Sequence, residues 1–459
     1  MKNDARWIKH KGVLFMDRSL FTPLKNEGYT TLKIRHDWKR GTFRLYVAKE
    51  WDPDIDFSKY NKAFYCDDIL TGDAVYLNTE EVKALYAKYD LEDYLNEILD
   101  LVRQGRHFGM DCYYNDKFNI RFMCNQHSRK LGINQKRHAI MAGGIRRHPL
   151  QDEEKEVIID GLNLGRAMSF KNVAAGIAFG GCKTTVHMDE LDLDNMEIMG
   201  FLAYAMDNCR TMTGPDMFFP TEMADVMNDH FSMQYTNGPK NSPLGETGKP
   251  TAYGAYLALK QAVKFKTGSE SLDGMSIAVQ GLGAVGWYMA GHLVEENTKL
   301  YITDMSEARA KQFIDEHPGK DVTYVKPDEI LTLDADILCP CAIGGIITEE
   351  LIPQLKFKYV FGPANNQLRA SSQDEEERLA KLLADRDILF QTEWWHNTAG
   401  VLCGAEEYFY GQDATYENLL KKIEAIVPVK TWDNLNKAKE LGITPTECAY
   451  KTCYDIIYG

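Results

Sequence analysis

The chain has 459 residues, 44% of them hydrophobic, and a formal net charge of −14 at pH 7. That length and apolar content support two or more domains with substantial cores. The acidic balance argues against nucleic-acid binding, which needs concentrated Lys and Arg to neutralise phosphates, and reads instead as a solubilising surface. No run of about 18 apolar residues marks a membrane span, and Met1–Arg6 leads into mixed polar sequence without the apolar core of a signal peptide, so a cytoplasmic chain with no membrane partner is expected. Ten scattered cysteines suit reduced thiols better than a disulfide framework. Cys339-Pro340-Cys341 has neither CxxC spacing nor a nearby histidine pair, so no metal site is expected.

Residues 1–110 read as an accessory N-terminal region. Thr31-Leu32-Lys33-Ile34 and Phe43-Arg44-Leu45-Tyr46-Val47 predict strands, with a turn near Lys39-Arg40-Gly41. Asn78 is placed to cap a helix with Glu81 closing the reciprocal bond, and Val82, Leu85, Tyr86 and Tyr89 share one helical face. Nothing here carries recognisable chemistry; packing on the body or a subunit interface is the expected role.

Residues from 111 to about 243 predict mixed helix and strand, with a helix over Glu153–Met168 that places Ile158, Leu162, Gly165 and Met168 at helical spacing. Next come Lys171-Asn172-Val173-Ala174-Ala175-Gly176 and Phe179-Gly180-Gly181-Cys182-Lys183-Thr184-Thr185. A lysine held among small and apolar residues loses hydration, which disfavours its charged form and suits it to proton exchange near neutral pH. Two exposed surface lysines are the plainer alternative, since lysine is almost never fully buried without a partner.

Residues 244–397 carry the most specific pattern in the chain. The apolar run Ile277-Ala278-Val279 leads into Gly281-Leu282-Gly283-Ala284-Val285-Gly286, a helix-like segment follows, and a second apolar run, Leu300-Tyr301-Ile302, ends on Thr303-Asp304. In a strand–turn–helix–strand unit the first glycine permits the tight turn, the second lets backbone approach a pyrophosphate, and the third allows close helix–strand packing. The phosphates then meet unpaired N–H groups at the helix N-terminus. Asp304 would accept hydrogen bonds from ribose hydroxyls and repel a 2′-phosphate, which favours NAD over NADP. Further strands are expected at Asp336–Cys339, Tyr359–Phe361 and Ile388–Phe390, giving an α/β, Rossmann-type domain. Residues 398–459 look helical and are expected to join 111–243 in the substrate domain.

From about residue 120 onward the chain resembles the glutamate, leucine, phenylalanine and valine dehydrogenase family, most in look the leucine and phenylalanine members. The resembling segments are Met141-Ala142-Gly143-Gly144-Ile145-Arg146, Met168 to Lys183, Pro250-Thr251-Ala252-Tyr253-Gly254, Gly281 to Asp304, Cys339-Pro340-Cys341-Ala342, Gly362-Pro363-Ala364-Asn365-Asn366-Gln367-Leu368 and Asn397-Thr398-Ala399-Gly400-Val401. Several separate motifs in one order are far more specific than any one of them.

The resemblance implies roles at matching positions. Lys171 would pair with the substrate α-carboxylate as a point charge, Gly143 and Gly144 would let backbone approach the amino acid, and Met168 would join the substrate-binding set. Lys183 would be the catalytic lysine, activating water for attack on the imine. Thr251 and Asn397 would orient the nicotinamide carboxamide, with Cys341, Ala342 and Asn366 lining the cofactor cleft beside Gly281, Gly283, Ala284, Val285, Gly286 and Asp304. Satisfied loop or cap hydrogen bonds are the alternative for each polar residue. Family members also carry an aspartate that moves a proton to and from the substrate nitrogen. Ungapped alignment of Phe219–Asp225 puts Met223 there and a one-residue shift puts Glu222, so Glu222 is the expected carboxylate, with Asp225 the fallback.

Glutamate members place a lysine immediately before the glycine pair, and this chain has Ala142 there. An uncompensated substrate carboxylate in a closed site would cost several kcal/mol, so an apolar substrate is expected, aromatic ahead of branched. The implied activity is NAD-dependent, reversible oxidative deamination of an L-amino acid to a 2-oxo acid and ammonium by a homo-oligomer. Two alternatives stay open: an NAD-binding regulatory protein without catalysis, and a dehydrogenase using an amine other than ammonium.

Overall fold

The computed structural model describes residues 18–61, 74–134, 137–232, 236 and 238–459, with 7–10 and 13–16 as backbone strands; Met1–Arg6 lies outside the described residues. The chain forms two compact units, one of residues 1–169 and 178–241, the other of 170–177 and 242–459.

The first unit opens with an antiparallel hairpin, β1 (Trp7–His10) and β2 (Val13–Met16), and a short helix α1 (Thr22–Glu27). Strands β3 (Thr31–Asp37) and β4 (Thr42–Lys49) pair antiparallel, and Gly41 takes the left-handed conformation in the turn between them. After the short strand β5 (Val75–Leu77), α2 (Thr79–Lys88) starts at the capping box expected from sequence: Asn78 Oδ1 accepts from the Glu80 and Glu81 amides at 3.0 and 3.3 Å, and Glu81 accepts from the Asn78 amide at 2.8 Å. There follow α3 (Glu92–Gln104), β6 (Gly109–Asn115), β7 (Ile120–Ser128), β8 (Met141–Ala142), β9 (Ile145–His148), α4 (Glu154–Ala174), β10 (Gly180–His187), α5 (Met196–Cys209), β11 (Thr211–Met212) and α6 (Glu222–His230).

These strands make one sheet in the order β11-β8-β10-β7-β6-β3-β4-β5, with β9 also paired to β10. The region before residue 110 is therefore not an appendage: its strands β3, β4 and β5 complete the sheet that carries Lys183. One face packs Leu32, Ile34, Leu45 and Val47 against Val82, Tyr86, Ile98 and Val102 of α2 and α3 and Ile158 and Leu162 of α4. The other packs Phe122, Cys182 and Val186 against Phe201, Leu202 and Ala205 of α5. A buried carboxylate, Glu154 at the start of α4, ties down the N-terminal segment by accepting from the Leu20 amide at 2.7 Å and the Ser19 hydroxyl at 2.5 Å while pairing with Arg121 at 3.2 Å.

In the second unit, α7 (Gly248–Thr267) precedes β12 (Ser276–Gln280), α8 (Gly286–Glu295), β13 (Lys299–Thr303), α9 (Glu307–Glu316), β14 (Val322–Tyr324), β15 (Ile337–Pro340), β16 (Tyr359–Val360), α10 (Gln373–Asp385) and β17 (Leu389–Phe390). All six strands are parallel, in the order β14-β13-β12-β15-β16-β17. The strands expected from sequence are present, and β14 is an addition, short and only half-buried, without the apolar run that marks its neighbours. Helices α11 (Ala399–Tyr410), α12 (Tyr416–Leu441) and α13 (Pro445–Tyr458) complete the unit.

The expected division of the chain is corrected in two places. Residues 398–459 belong with the parallel sheet, because Ala399, Leu402, Leu419, Ile423 and Val427 bury into the same core as Ala255, Leu259 and Val263 of α7 and Ile277 and Val279 of β12. The helix expected to stop at Met168 runs on to Ala174, so Lys171 stands in its last turn, and its final residues fall in the second unit.

Candidate active site

In the first unit the chemistry gathers on β10. Lys183 is buried, 6% exposed, and opposite Asn125 of β7 in the ladder. Gly180 and Gly181 precede it because neighbouring backbone leaves no room for side chains: a Cβ at Gly180 would overlap the Ser128 carbonyl, and one at Gly181 the Ser169 amide of α4. Gly143 and Gly144 lie between β8 and β9. A Cβ at Gly143 would overlap the Cys182 carbonyl, while one at Gly144 would stand 3.2 Å from Lys183 Nζ and 3.3 Å from Asp216 Cβ. Gly144 thus keeps the space in front of the lysine open.

The carboxylate that meets Lys183 is Asp216. The lysine ammonium donates to Asp216 Oδ2, and Arg146 approaches the same oxygen at 3.2 Å while also pairing with Asp160 at 3.0 Å. The segment after β11 delivers Asp216 there: the Ile145 amide donates to the Gly214 carbonyl and the Asp216 amide to the Ile145 carbonyl, each at 3.0 Å. Burial alone would raise the Asp216 carboxyl, but Lys183 and then Arg146 outweigh it and hold the group below its usual range.

Glu222, the carboxylate expected from sequence, does not reach this cluster. It is exposed in the first turn of α6 and accepts from the Thr221 hydroxyl at 3.3 Å. The fallback Asp225 is committed elsewhere, accepting backbone N–H groups of Gly238, Lys240 and Asn241 at 3.0–3.1 Å. The expected residue lies six positions past Asp216, inside α6. The missed signal was Thr213-Gly214-Pro215-Asp216, an extended run that carries a carboxylate on from the short strand β11 and bridges to Ile145. Met168 is half-buried on α4, one residue before the Ser169 amide that crowds Gly181.

In the second unit the glycine turn has the geometry its pattern requires. Gly281 has φ +97°, and a Cβ there would press on Ala342; a Cβ at Gly286 would overlap the Gly281 carbonyl and approach Cys341 Cβ at 2.9 Å. Gly283 has no atom within 4 Å of a Cβ position, so its backbone faces open space where a pyrophosphate can approach. Ala284 and Val285 lead directly into α8, so the N-terminus of that helix follows the turn at once. Asp304, just past β13, accepts from the Leu282 amide at 2.8 Å through one oxygen and from the Ser306 amide at 2.9 Å through the other. Each oxygen keeps a further lone pair.

Asn397 and Asn366 belong to two loops that leave adjacent strands and strap each other. Asn397 Nδ2 donates to the Pro363 carbonyl at 3.0 Å and to Asn365 Oδ1 at 2.7 Å, His396 Nε2 bonds the Gly362 carbonyl at 3.1 Å, and the Asn366 amide donates to the buried Glu393 carboxylate at 2.7 Å. Buried polar atoms without a partner among the described residues include Asn397 Oδ1, Gln280 Oε1 and Thr303 Oγ1, all at or beyond the carboxyl ends of the parallel strands. Unpaired buried polar atoms are costly, and the hydroxyl and amide groups of a dinucleotide are partners of the kind these three lack. Thr251, on α7, donates to the Thr247 carbonyl at 2.7 Å and lies against Gly400, where a Cβ would come within 2.9 Å of its hydroxyl. No group of three or more metal-ligating side chains occurs among the described residues, and no helix there is long and apolar enough to cross a membrane.

A parallel sheet with this glycine turn, in a chain whose other unit pairs a buried lysine with an aspartate beside two glycines, defines the two-domain amino-acid dehydrogenase fold. Residues 130–238 match the family model for the Glu/Leu/Phe/Val dehydrogenase dimerisation domain. The leucine dehydrogenase of Thermoactinomyces intermedius is 36% identical over 290 residues, 62% of this chain and 75% of that protein. The phenylalanine dehydrogenase of Lysinibacillus sphaericus is 35% identical over 323 residues, 69% of this chain and 81% of that protein. The crystal structure of L-tryptophan dehydrogenase from Nostoc punctiforme aligns with a TM-score of 0.67 and 27% identity, covering 78% of this chain and 98% of that one. The chain belongs to the glutamate, leucine, phenylalanine and valine dehydrogenase family.

Proposed function

We propose that this protein catalyses the reversible, NAD-dependent oxidative deamination of an apolar L-amino acid, aromatic ahead of branched-chain, yielding the 2-oxo acid and ammonium. The observation that carries this reading is the pairing of buried Lys183 with half-buried Asp216 beside Gly144. NAD, when bound, supplies the hydride acceptor. Gly281, Gly283, Ala284, Val285 and Gly286 would hold its pyrophosphate, Asp304 its adenosine ribose, and Thr251, Asn366 and Asn397 its nicotinamide end, with Cys341 and Ala342 beside the turn.

Lys171 binds the substrate α-carboxylate. Asp216, in place of Glu222, takes a proton from the substrate ammonium, so the nitrogen lone pair is free to form the C=N bond as the α-hydrogen leaves as hydride. Lys183 then orients water for attack on the imine carbon and stabilises the developing oxygen charge. Asp216 returns its proton to nitrogen, and ammonia leaves as the C=O bond forms; of the two protons shed by the added water, one turns the ammonia into ammonium and the other passes to solvent. Ionisation of Asp216 near neutral pH suits it to the first proton transfer.

Support for an apolar substrate comes from Ala142, buried where glutamate members carry a lysine, and from the names of the leucine, phenylalanine and tryptophan enzymes this chain is similar to. A homo-oligomer fits the dimerisation-domain match. The test is mass spectrometry of NADH formed from an α-deuterated amino acid: deuterium on the nicotinamide with phenylalanine or leucine supports the reading, and its absence with every apolar amino acid overturns it.

A further inference from the structure

Arg146 of β9 stands between carboxylates from two different elements. Its Nε donates to Asp216 Oδ2 at 3.3 Å, and its Nη2 lies 3.2 Å from the same oxygen. Its Nη1 donates to Asp160 of α4, at 3.1 Å to Oδ1 and 3.0 Å to Oδ2. Asp160 is backed in turn by His148, also on β9, whose Nε2 meets Asp160 Oδ2 at 3.1 Å and whose Nδ1 meets Asp152 Oδ2 at 3.2 Å. Carboxylate oxygens only accept, so these two bonds together require a proton on each ring nitrogen, and the bond to Asp160 favours that charged ring. Charges therefore alternate along the row Asp152, His148, Asp160, Arg146, Asp216 and Lys183. A structural tie between β9 and α4 needs only the Arg146–Asp160 pair. The other edge of the guanidinium is committed to a carboxylate that already has Lys183, although two cations at one oxygen repel each other.

What this arrangement does is make the two oxygens of Asp216 unequal. A carboxylate oxygen offers about two lone-pair sites; Lys183 and Arg146 both take Oδ2, and neither hydrogen-bonds Oδ1. We infer that Arg146 is a positioning residue for the proton transfer: braced by Asp160, it joins Lys183 on Oδ2, stops the Asp216 carboxylate from turning over, and leaves Oδ1 to exchange the proton with the substrate nitrogen. The inference rests on the reading of Asp216 as the carboxylate that serves that nitrogen. Oδ1 takes one proton from the substrate ammonium and later returns it, so Arg146 itself gains and loses none. The task suits an arginine, whose planar fork bonds two carboxylates through separate edges, whereas a lysine is a point charge.

The experiment compares Arg146→Met, Arg146→Lys and Asp216→Asn with wild type as full-length proteins. It reads kcat, KM for NAD and for the amino acid, thermal melts, the α-deuterium isotope effect on kcat/KM, and recovery of Arg146→Met by added guanidinium ion. Arg146→Met is expected to lose about 10- to 100-fold in kcat, part of what a positioned acid or base contributes, with both KM values within about threefold of wild type. Its isotope effect should fall toward unity, because the proton step replaces hydride transfer as the slow one, and guanidinium should restore kcat at least about fivefold by refilling the site with the same planar donor. Arg146→Lys should stand between Arg146→Met and wild type. A kcat within about threefold of wild type in Arg146→Met overturns the inference, as does a loss that brings a lower melting temperature and weaker NAD binding and that guanidinium does not recover. If Arg146→Met does not fold, Arg146→Lys decides, and wild-type kcat in that variant overturns the inference. Wild-type turnover by Asp216→Asn sinks the reading of Asp216 itself, a failure distinct from that of Arg146.

Discussion

Lys183 and Asp216 share a hydrogen bond, although 33 residues separate them in sequence. The lysine comes from a central strand and the carboxylate from the segment running beside β8 and β9. Both are fixed by backbone pairing, so the pair is preorganised.

Removing either partner should therefore cost turnover and little else. Lys183→Ala and Asp216→Asn are each expected to lower kcat by about 10²–10⁴, the usual contribution of a positioned acid or base, while Glu222→Gln stays within about twofold of wild type, as exposed surface changes do. Steady-state kinetics on the three variants checks this. Equal losses in Glu222→Gln and Asp216→Asn would return the glutamate to the mechanism.

Gly283 and Gly286 of the dinucleotide turn should fail in different ways. Gly283→Ala meets no atom within 4 Å, so the variant is expected to fold normally and to bind NAD at least about tenfold more weakly, because the methyl occupies pyrophosphate space. Gly286→Ala drives its methyl into the Gly281 carbonyl and should lower the melting temperature as well. Calorimetric titration with NAD and thermal melts distinguish the two; equal melting losses would contradict the packing argument.

Substrate preference should follow the residue before the glycine pair. Ala142 is fully buried at the end of β8, and a larger side chain there shortens the space for the substrate side chain. Ala142→Leu is expected to shift kcat/KM from aromatic toward branched substrates by about ten- to a hundredfold, the worth of one to a few methylenes in an apolar pocket. An unchanged ratio would place the pocket wall elsewhere.

Stability should depend on pH through Asp207. Its carboxyl is 2% exposed, accepts from the Tyr60 hydroxyl at 2.6 Å and from the Ser232 hydroxyl, and is pushed up by burial to about 7. The folded state therefore binds this proton more tightly than the unfolded chain. The contribution is complete below the ordinary carboxyl range near pH 4 and is lost as pH rises through about 7, amounting to about 4 kcal/mol. Denaturant midpoints at pH 5 and 8 should differ less in Asp207→Asn than in wild type; parallel slopes would argue against it.

Much of this was legible in the sequence because it was local. The Asn78–Glu81 capping box joins residues three apart, and the glycine turn meets Asp304 within one strand–turn–helix–strand unit. What could not be read was long-range. Asp216 depends on a strand pairing between residues 211–212 and 141–142 that no periodicity encodes, since two-residue strands carry no pattern. The place of β3–β5 in the sheet and of α11 and α12 against α7 depends likewise on which apolar faces meet. Local patterns fix an element's type before its partner.

The central claim is tested most directly by following NADH oxidation with excess ammonium and a panel of aromatic, branched and acidic 2-oxo acids, in wild type, Lys183→Ala and Asp216→Asn. Turnover with the apolar 2-oxo acids, aromatic first, that requires ammonium and disappears in both variants is the predicted result. No ammonium-dependent turnover with any 2-oxo acid, in a protein that demonstrably binds NAD, would contradict it.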